Sequence, residues 1–135
     1  PDSVTVEALN PPDLNGGAND NSLALWLKHG KVSVLFLADI GPGRQGALLA
    51  AFPQIRQADC VLIPHHGGPL SDAFIEAFQG KLFIVSTGHN RWGLPREDQL
   101  KELNGTVYRT DRNGTIVVES DGNTLKVVSW TQNGN

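Results

Sequence analysis

Reactive side chains follow three of the apolar runs in this chain. They are Asp39 after the run 34–38, His65 and His66 after the run 60–63, and His89, Asn90 and Arg91 after the run 82–86. If these runs are neighbouring strands, their loops meet at one edge of a sheet. A carboxylate oxygen and a neutral imidazole nitrogen bind zinc-class or manganese-class ions. The sequence therefore predicts a divalent metal site at that edge.

A glycine pair, Gly67 and Gly68, directly follows the two histidines. Glycine lets the backbone approach a ligand closely. Ser71 then has the side chain expected of an N-cap for a helix that runs through Phe78. A helix N-terminus favours an anion such as phosphate. The pattern favours a phosphate-bearing ligand beside the predicted metal.

Each of these side chains also has a structural interpretation. Asp39 could be a turn or capping residue. Successive residues of a strand point to opposite faces, so at most one of His65 and His66 would face a given metal. His89 could hydrogen-bond within its own loop, and His29 is expected at the surface in a hairpin turn. Spacing alone leaves these alternatives open.

Short apolar runs alternate with turn signals along the chain. We predict helices at 45–52, 72–78 and 95–103, and strands at 4–9, 22–27, 31–38, 59–63, 82–86, 107–109, 115–119 and 125–130. Residues 10–12 (Asn-Pro-Pro) are expected to end the first strand, residues 13–21 are expected to be a loop, and the tail is expected to be antiparallel. This order predicts one domain over residues 1–135, with a layered α/β or α+β fold and functional loops at the strand ends.

The composition is that of an ordinary globular domain. The chain has 135 residues, of which 39% are hydrophobic and 19% charged, and its formal net charge is -3. The negative charge argues against a surface that coats nucleic acid generally, although residues 81–112 carry six basic and four acidic side chains. No apolar run approaches the length of a membrane helix. The lone Cys60 is expected to be a buried hydrophobe.

Five segments together carry a resemblance to a known family. They are "NDNSLALWL", "VLFLAD", "ADCVLIPHHGG", "VSTGHNRWGLP" and "VYRTDRNGTI". In this order they resemble the second half of the metallo-β-lactamase-like domain at the C-terminus of ComEC-type competence proteins, which are membrane channels for DNA uptake. The resemblance spans residues 4–118. It implies half of an αββα sandwich with a metal-dependent phosphodiesterase or nuclease site, in a soluble domain of an inner (plasma) membrane protein.

The resemblance also implies roles for single residues. Asp39 matches the family's metal-bridging aspartate, and His65 and His66 match its late histidines. We expect Asp39 and His66 to bind zinc or manganese in the intact domain, with His65 at the phosphate and all three in the catalytic group. His89, Asn90 and Arg91 are expected to bind the substrate.

The chain departs from the family pattern in three places. The main metal motif, a His-x-His-x-Asp-His type of cluster, would lie upstream of Pro1. The chain has Ala38 where the family usually has the glycine of Thr-Gly-Asp, and Leu94 where the family usually has the histidine of Gly-His-Pro. The isolated chain is therefore expected to bind metal weakly, if at all, and to lack nuclease activity.

Two non-catalytic hypotheses stand beside the nuclease hypothesis. In one, the domain is degenerate and binds DNA through the basic residues of 81–112, which would give salt-sensitive binding without metal. In the other, it is an assembly module that packs against the missing N-terminal half, the membrane channel domain or a second copy of itself. A half sandwich leaves a sheet face open, so a homodimer is expected to bury that face.

Overall fold

The computed structural model of the chain describes residues 3–9 and 15–131. The strands are β1 (Val4–Ala8), β2 (Leu25–His29), β3 (Val32–Phe36), β4 (Cys60–Leu62), β5 (Leu82–Val85), β6 (Thr106–Arg109), β7 (Thr115–Ser120) and β8 (Leu125–Trp130). The helices are α1 (Pro42–Ala51), α2 (Asp72–Ala77), α3 (Glu97–Glu102) and the short α4 (Thr110–Asn113). Two 3₁₀ turns lie at Pro53–Gln57 and Pro64–His66.

The strands form a mixed six-stranded sheet and a separate hairpin. The sheet order is β1-β2-β3-β4-β5-β6. β1, β2 and β3 are antiparallel neighbours, and β3 to β6 run parallel. β7 and β8 form a two-stranded antiparallel hairpin. The α/β class and its layered organisation are confirmed.

Apolar side chains on the two faces of the sheet make two cores. One face, with Leu35, Val61 and Phe83, packs with residues of α1, α2 and α3. The other face is covered by the β7–β8 hairpin, and its core consists of Val34, Cys60 and Ile84 with Phe36, Leu62, Leu82, Ile116, Val118 and Leu125. Burial raises the pKa of the Cys60 thiol to about 12. Cys60 is therefore an unreactive core residue, as predicted.

Parallel pairing places the carboxyl ends of β3, β4 and β5 at one edge of the sheet. The loops that follow these strands carry Asp39, the histidine pair and residues 86–95. α1 begins at Pro42. Proline suits the first position of a helix because an N–H at that position would have no acceptor within the helix. Ser71 caps α2 as predicted, because its Oγ accepts a hydrogen bond from Phe74 N.

Several elements differ from the sequence prediction. β2 extends through His29, so the hairpin turn is Gly30–Lys31, and His29 is half-buried with Nδ1 3.1 Å from Ser120 Oγ. α1 begins three residues earlier than predicted, and α3 begins at Glu97, with Pro95 in the segment before it.

The C-terminal part was predicted wrongly in one respect. β6 does not belong to an antiparallel tail, since it pairs parallel with β5 at the edge of the main sheet. Residues 110–113 after β6 form α4, and Asn113 Oδ1 accepts a hydrogen bond from Arg109 N. The β7–β8 hairpin is confirmed. Of the loop expected at 13–21, residues 15–21 contain neither helix nor strand, as predicted, and residues 13 and 14 lie outside the described residues.

None of the helices in the described ranges is long and apolar enough to cross a membrane.

Candidate functional site

Asp39 lies in the loop after β3, and the "NDNS" segment holds its backbone. Asp39 N donates a hydrogen bond to Ser22 Oγ at 3.2 Å, and the same hydroxyl donates to Asn19 O. Asp20 Oδ1 accepts a hydrogen bond from Gly41 N at 2.8 Å, which ties this segment to the start of α1. The Asp39 carboxylate itself is 42% exposed. The segment fixes the position of the carboxylate and leaves its oxygens accessible.

His66 faces Asp39 with one ring nitrogen and the end of β5 with the other. Its Nδ1 lies 2.7 Å from the carbonyl oxygen of Ser86. A carbonyl can only accept, so Nδ1 must carry the proton, and in the neutral ring Nε2 then presents its lone pair. Nε2 lies 3.6 Å from Asp39 Oδ1. This is the arrangement of metal-binding histidines, whose second nitrogen donates to a carbonyl or carboxylate.

The Asp39–His66 pair fits part of a metal coordination sphere. Two ligand atoms that each lie about 2.1 Å from one ion are about 3.4 Å apart at a tetrahedral angle, close to the observed 3.6 Å. Within residues 3–9 and 15–131 no group of three or more His, Cys, Asp or Glu side chains is placed to hold an ion. The described chain therefore offers two ligands on one side, and a complete site needs others.

Three non-glycine residues around this pair have left-handed backbones. Ala38, His65 and His66 have φ values of 47°, 52° and 55°. This region is unfavourable for residues with a Cβ, and such residues cluster at functional sites. The histidines lie in a 3₁₀ turn, not on a strand, so the expected alternation of strand side chains does not govern where they point.

His65 and His66 line different clefts. His65 N donates to Ala38 O at 2.8 Å, and its side chain borders a cleft of about 470 Å³ together with Asp20, Asp39 and Pro69. His66 borders a second cleft of about 230 Å³ with residues 87–90, Trp92 and Leu94. Asp39 and His66 thus lie at the junction of two open grooves, where an extended ligand could pass.

The loop after the histidines is held by buried contacts. Gln45 is buried, and its amide donates to Ile40 O and Pro69 O while accepting from Ser71 N. Gly67 has φ +87°, and a Cβ added there would lie 2.2 Å from the Cβ of Pro95. The glycine after the histidine pair is therefore required by packing as well as by its dihedral angle.

The three predicted substrate-binding residues occupy the loop after β5. His89 and Arg91 are exposed, and His89 lines the cleft of His66. Asn90 is engaged within the loop: Nδ2 donates to Gly88 O and Leu94 O, and Oδ1 accepts from Trp92 N and Leu94 N. Asn90 therefore braces the loop. Contact with a substrate stays a prediction for Asn90, His89 and Arg91 alike.

A separate charged network joins the end of β6 to α3 and α4. Arg109, whose side chain is 9% exposed, donates to Asp111 through Nε and Nη2 at 3.0 and 2.7 Å and to Glu97 through Nη1 at 2.8 Å. Hydrogen bonds from Arg109 lower the pKa of both carboxyl groups, and the bonds to Asp111 and Glu97 raise the pKa of Arg109. This network ties the "YRTDRNG" segment to Glu97 of α3.

Sequence reasoning missed three contributors to the site. Ser22 positions Asp39, the Ser86 carbonyl sets the His66 tautomer, and Trp92 lines the second cleft. The "NDNS" segment begins the first of the segments that carry the resemblance, and this was the available signal for Ser22. A backbone carbonyl leaves no signature in the side-chain sequence.

Comparison with known proteins gives one partial similarity. The chain is 30% identical over 84 residues to the uncharacterized protein YcaI of Escherichia coli (strain K12). The aligned segment covers 60% of this chain and 11% of that protein. The match thus spans about a tenth of the length of this relative. No family model matches the chain, and no solved structure matches it.

Proposed function

We propose that this chain is the second half of a metallo-β-lactamase-like domain, and that the complete domain hydrolyses phosphodiester bonds of DNA with a divalent metal. The observation that carries the proposal is the His66 ring, which donates from Nδ1 to Ser86 O and presents Nε2 to Asp39 Oδ1 at 3.6 Å. The strained backbones of Ala38, His65 and His66 support it. The layered sheet, one face of which packs against helices, also supports the proposal.

The residues of this chain fit one side of the metal. Asp39 and His66 would hold zinc or manganese, and such an ion, when bound, supplies Lewis acidity toward water and phosphate. The remaining ligands would come from the His-x-His-x-Asp-His type of cluster, which residues 1–135 do not contain. His65, His89 and Arg91 would contact the nonbridging phosphate oxygens.

The biological setting that goes with this function is DNA uptake. The complete domain would belong to the DNA-uptake channel of a plasma membrane protein and act on DNA during transformation. Its partners would be DNA, the N-terminal half of the sandwich and the membrane channel domain. Val4 and Val6, which are 55% and 58% exposed on β1, mark the open part of the sheet where that half or a second copy would pack.

A non-catalytic domain is the second candidate. The observation in its favour is Leu94, which lines the cleft of His66 at the position where the family usually has a histidine. Leucine can neither bind metal nor transfer a proton, so this cleft lacks one reactive group of the family pattern. In this case the domain binds DNA or assembles the channel, and its DNA affinity falls with salt and survives a chelator.

The test uses the parent chain that includes the upstream half of the domain. We expect cleavage of linear DNA with Mn²⁺ or Zn²⁺, no cleavage with chelator, and no cleavage by Asp39→Ala. Asp98→Ala, which removes an exposed carboxylate of α3, serves as the matched control and should cleave normally. Unchanged cleavage by Asp39→Ala would remove Asp39 from the mechanism, and DNA binding without any metal-dependent cleavage would favour the non-catalytic candidate.

A further inference from the structure

Trp92 is the most exposed of the large hydrophobic residues in the described chain. Its relative exposure is 71%, against 52% for Trp130, and the third tryptophan, Trp26, is buried. An indole exposed to this degree forgoes the free energy of burial that its apolar surface would otherwise contribute. Its position therefore calls for an explanation outside the core.

The loop beneath Trp92 is held by its own hydrogen bonds. Asn90 Oδ1 accepts from Trp92 N at 3.1 Å and from Leu94 N at 3.1 Å, and its Nδ2 donates to Leu94 O at 2.7 Å. The backbone that carries the indole is thus tied on both sides to a single amide. An aromatic ring on a braced loop loses little further conformational entropy when a ligand covers it.

The surroundings of Trp92 combine a flat apolar wall with polar groups and a cation. Trp92 and Leu94 border the cleft of about 230 Å³, and Thr87, His89 and His66 border the same cleft. The guanidinium carbon of Arg91 lies 5.4 Å from the centroid of the indole ring. Aromatic side chains beside basic ones are the combination by which proteins bind single-stranded nucleic acid, since bases stack while cations contact phosphates.

We propose that Trp92 stacks on an unpaired nucleobase of the strand whose phosphate lies at the Asp39–His66 pair. This inference rests on the proposed function for the location of that phosphate, and it adds the substrate class: a single-stranded segment of nucleic acid. His66 belongs to both the metal pair and the cleft of Trp92, so the two contacts lie next to each other along the ligand. A base paired within a duplex would not have its face free to stack on Trp92.

The test is binding of labelled single-stranded DNA to the 135-residue chain, measured by fluorescence anisotropy at fixed low salt with chelator present. We expect Trp92→Ala to weaken binding about 5- to 100-fold. Trp92→Phe should retain most of the affinity, because it keeps an aromatic face. Trp130→Ala is the matched control, since it also removes a partly exposed indole, and it should bind like the unmodified chain.

A second arm uses an abasic strand with the same number of phosphates. The unmodified chain should bind the abasic strand more weakly than the normal strand, whereas Trp92→Ala should bind both alike. Equal affinity of the unmodified chain for the two strands, unchanged binding by Trp92→Ala, or no binding of single-stranded DNA would overturn the proposal. If Trp92 instead contacts a protein partner, Trp92→Ala should bind single-stranded DNA as tightly as the unmodified chain does.

The outcome is separable from that of the proposed function. The binding assay contains no metal and needs no cleavage, so a base-dependent loss in Trp92→Ala supports the stacking role even if the complete domain proves inactive. Conversely, metal-dependent cleavage by the complete domain together with unaltered strand binding by Trp92→Ala overturns the stacking role alone.

Discussion

The imidazole of His66 and the carboxylate of Asp39 face each other across 3.6 Å, although they follow different strands of the sheet. The separation exceeds that of a normal hydrogen bond. In the neutral ring, the hydrogen bond from Nδ1 to Ser86 O leaves a lone pair on Nε2, so two acceptors face each other. A cation between them, or a proton on Nε2, makes this arrangement favourable.

Gly67→Ala should destabilise the chain strongly. The added Cβ would lie 2.2 Å from Pro95 Cβ and would sit on a backbone with φ +87°. Left-handed strain and overpacking together are expected to lower the free energy of unfolding by about 2–5 kcal/mol. Urea denaturation measures this loss. Gly88→Ala is the control, because its Cβ would meet nothing within 4 Å; equal stability of the two variants would contradict the account.

Ala38→Gly should stabilise the chain. Ala38 has φ 47°, where glycine is not strained. The relief of strain exceeds the added flexibility of the unfolded chain, and we expect a gain of about 0.5–1 kcal/mol. The control Ala50→Gly lies on an exposed helical position of α1 and should lose about 1 kcal/mol. A loss of stability in both variants would show that Ala38 is not strained.

Asp111→Asn should cost stability at neutral pH but not in acid. Asp111 accepts two hydrogen bonds from the nearly buried Arg109, and these lower the pKa of Asp111. A carboxyl with a lowered folded-state pKa contributes stability above its unfolded value of about 4, and the contribution disappears as pH falls through the folded value. We expect a loss of about 1–2 kcal/mol near pH 7 that shrinks below about pH 4.

Urea denaturation at the two pH values measures this difference for Asp111→Asn. Glu119→Gln, which alters an exposed carboxylate on β7, should remain close to the unmodified chain at both. A loss for Asp111→Asn that is the same in acid as at neutral pH would mean that its ion pair with Arg109 is not the source.

The chain should associate with itself through the open part of the sheet. Val6 pairs with Leu27 and lies on the face that β7–β8 covers farther along the sheet. We expect the mass measured by light scattering to rise with concentration, and Val6→Lys to suppress the rise. Thr5→Lys places the same charge on the opposite face of β1 and should have little effect. A chain that stays monomeric at all concentrations would count against a half sandwich.

Much of the fold could be predicted because the local signals were strong. The short apolar runs around Cys60 and Phe83 are typical of buried strands, and Ser71 marked the start of α2. The position of β6 could not be predicted, because Val107 and its neighbours alternate equally well in a parallel or an antiparallel edge strand. Pro95 indicated a first helical turn, but a proline also occurs in the extended segment before a helix, and that alternative proved correct.

The candidate site was predictable in its side chains and not in its backbone. Asp39 and His66 were identified from their position after apolar runs, and parallel strands bring them together. The 3₁₀ turn that contains His65 and His66 was not foreseen, since it depends on two left-handed residues before Gly67. The bond of His66 to the Ser86 carbonyl and the bonds of the Asn90 amide are contacts of side chains with the backbone, which only the folded chain reveals.

The most direct test of the central claim follows the imidazole nitrogens of His66 by NMR during a zinc titration of the isotope-labelled chain. Before zinc, the neutral ring should carry its proton on Nδ1. Added zinc should shift Nε2, weakly because the described residues bring two ligands together, and the shift should vanish in Asp39→Ala and persist in His29→Ala. A proton on Nε2 in the neutral ring, or the same response to zinc in Asp39→Ala, would contradict a metal shared by Asp39 and His66.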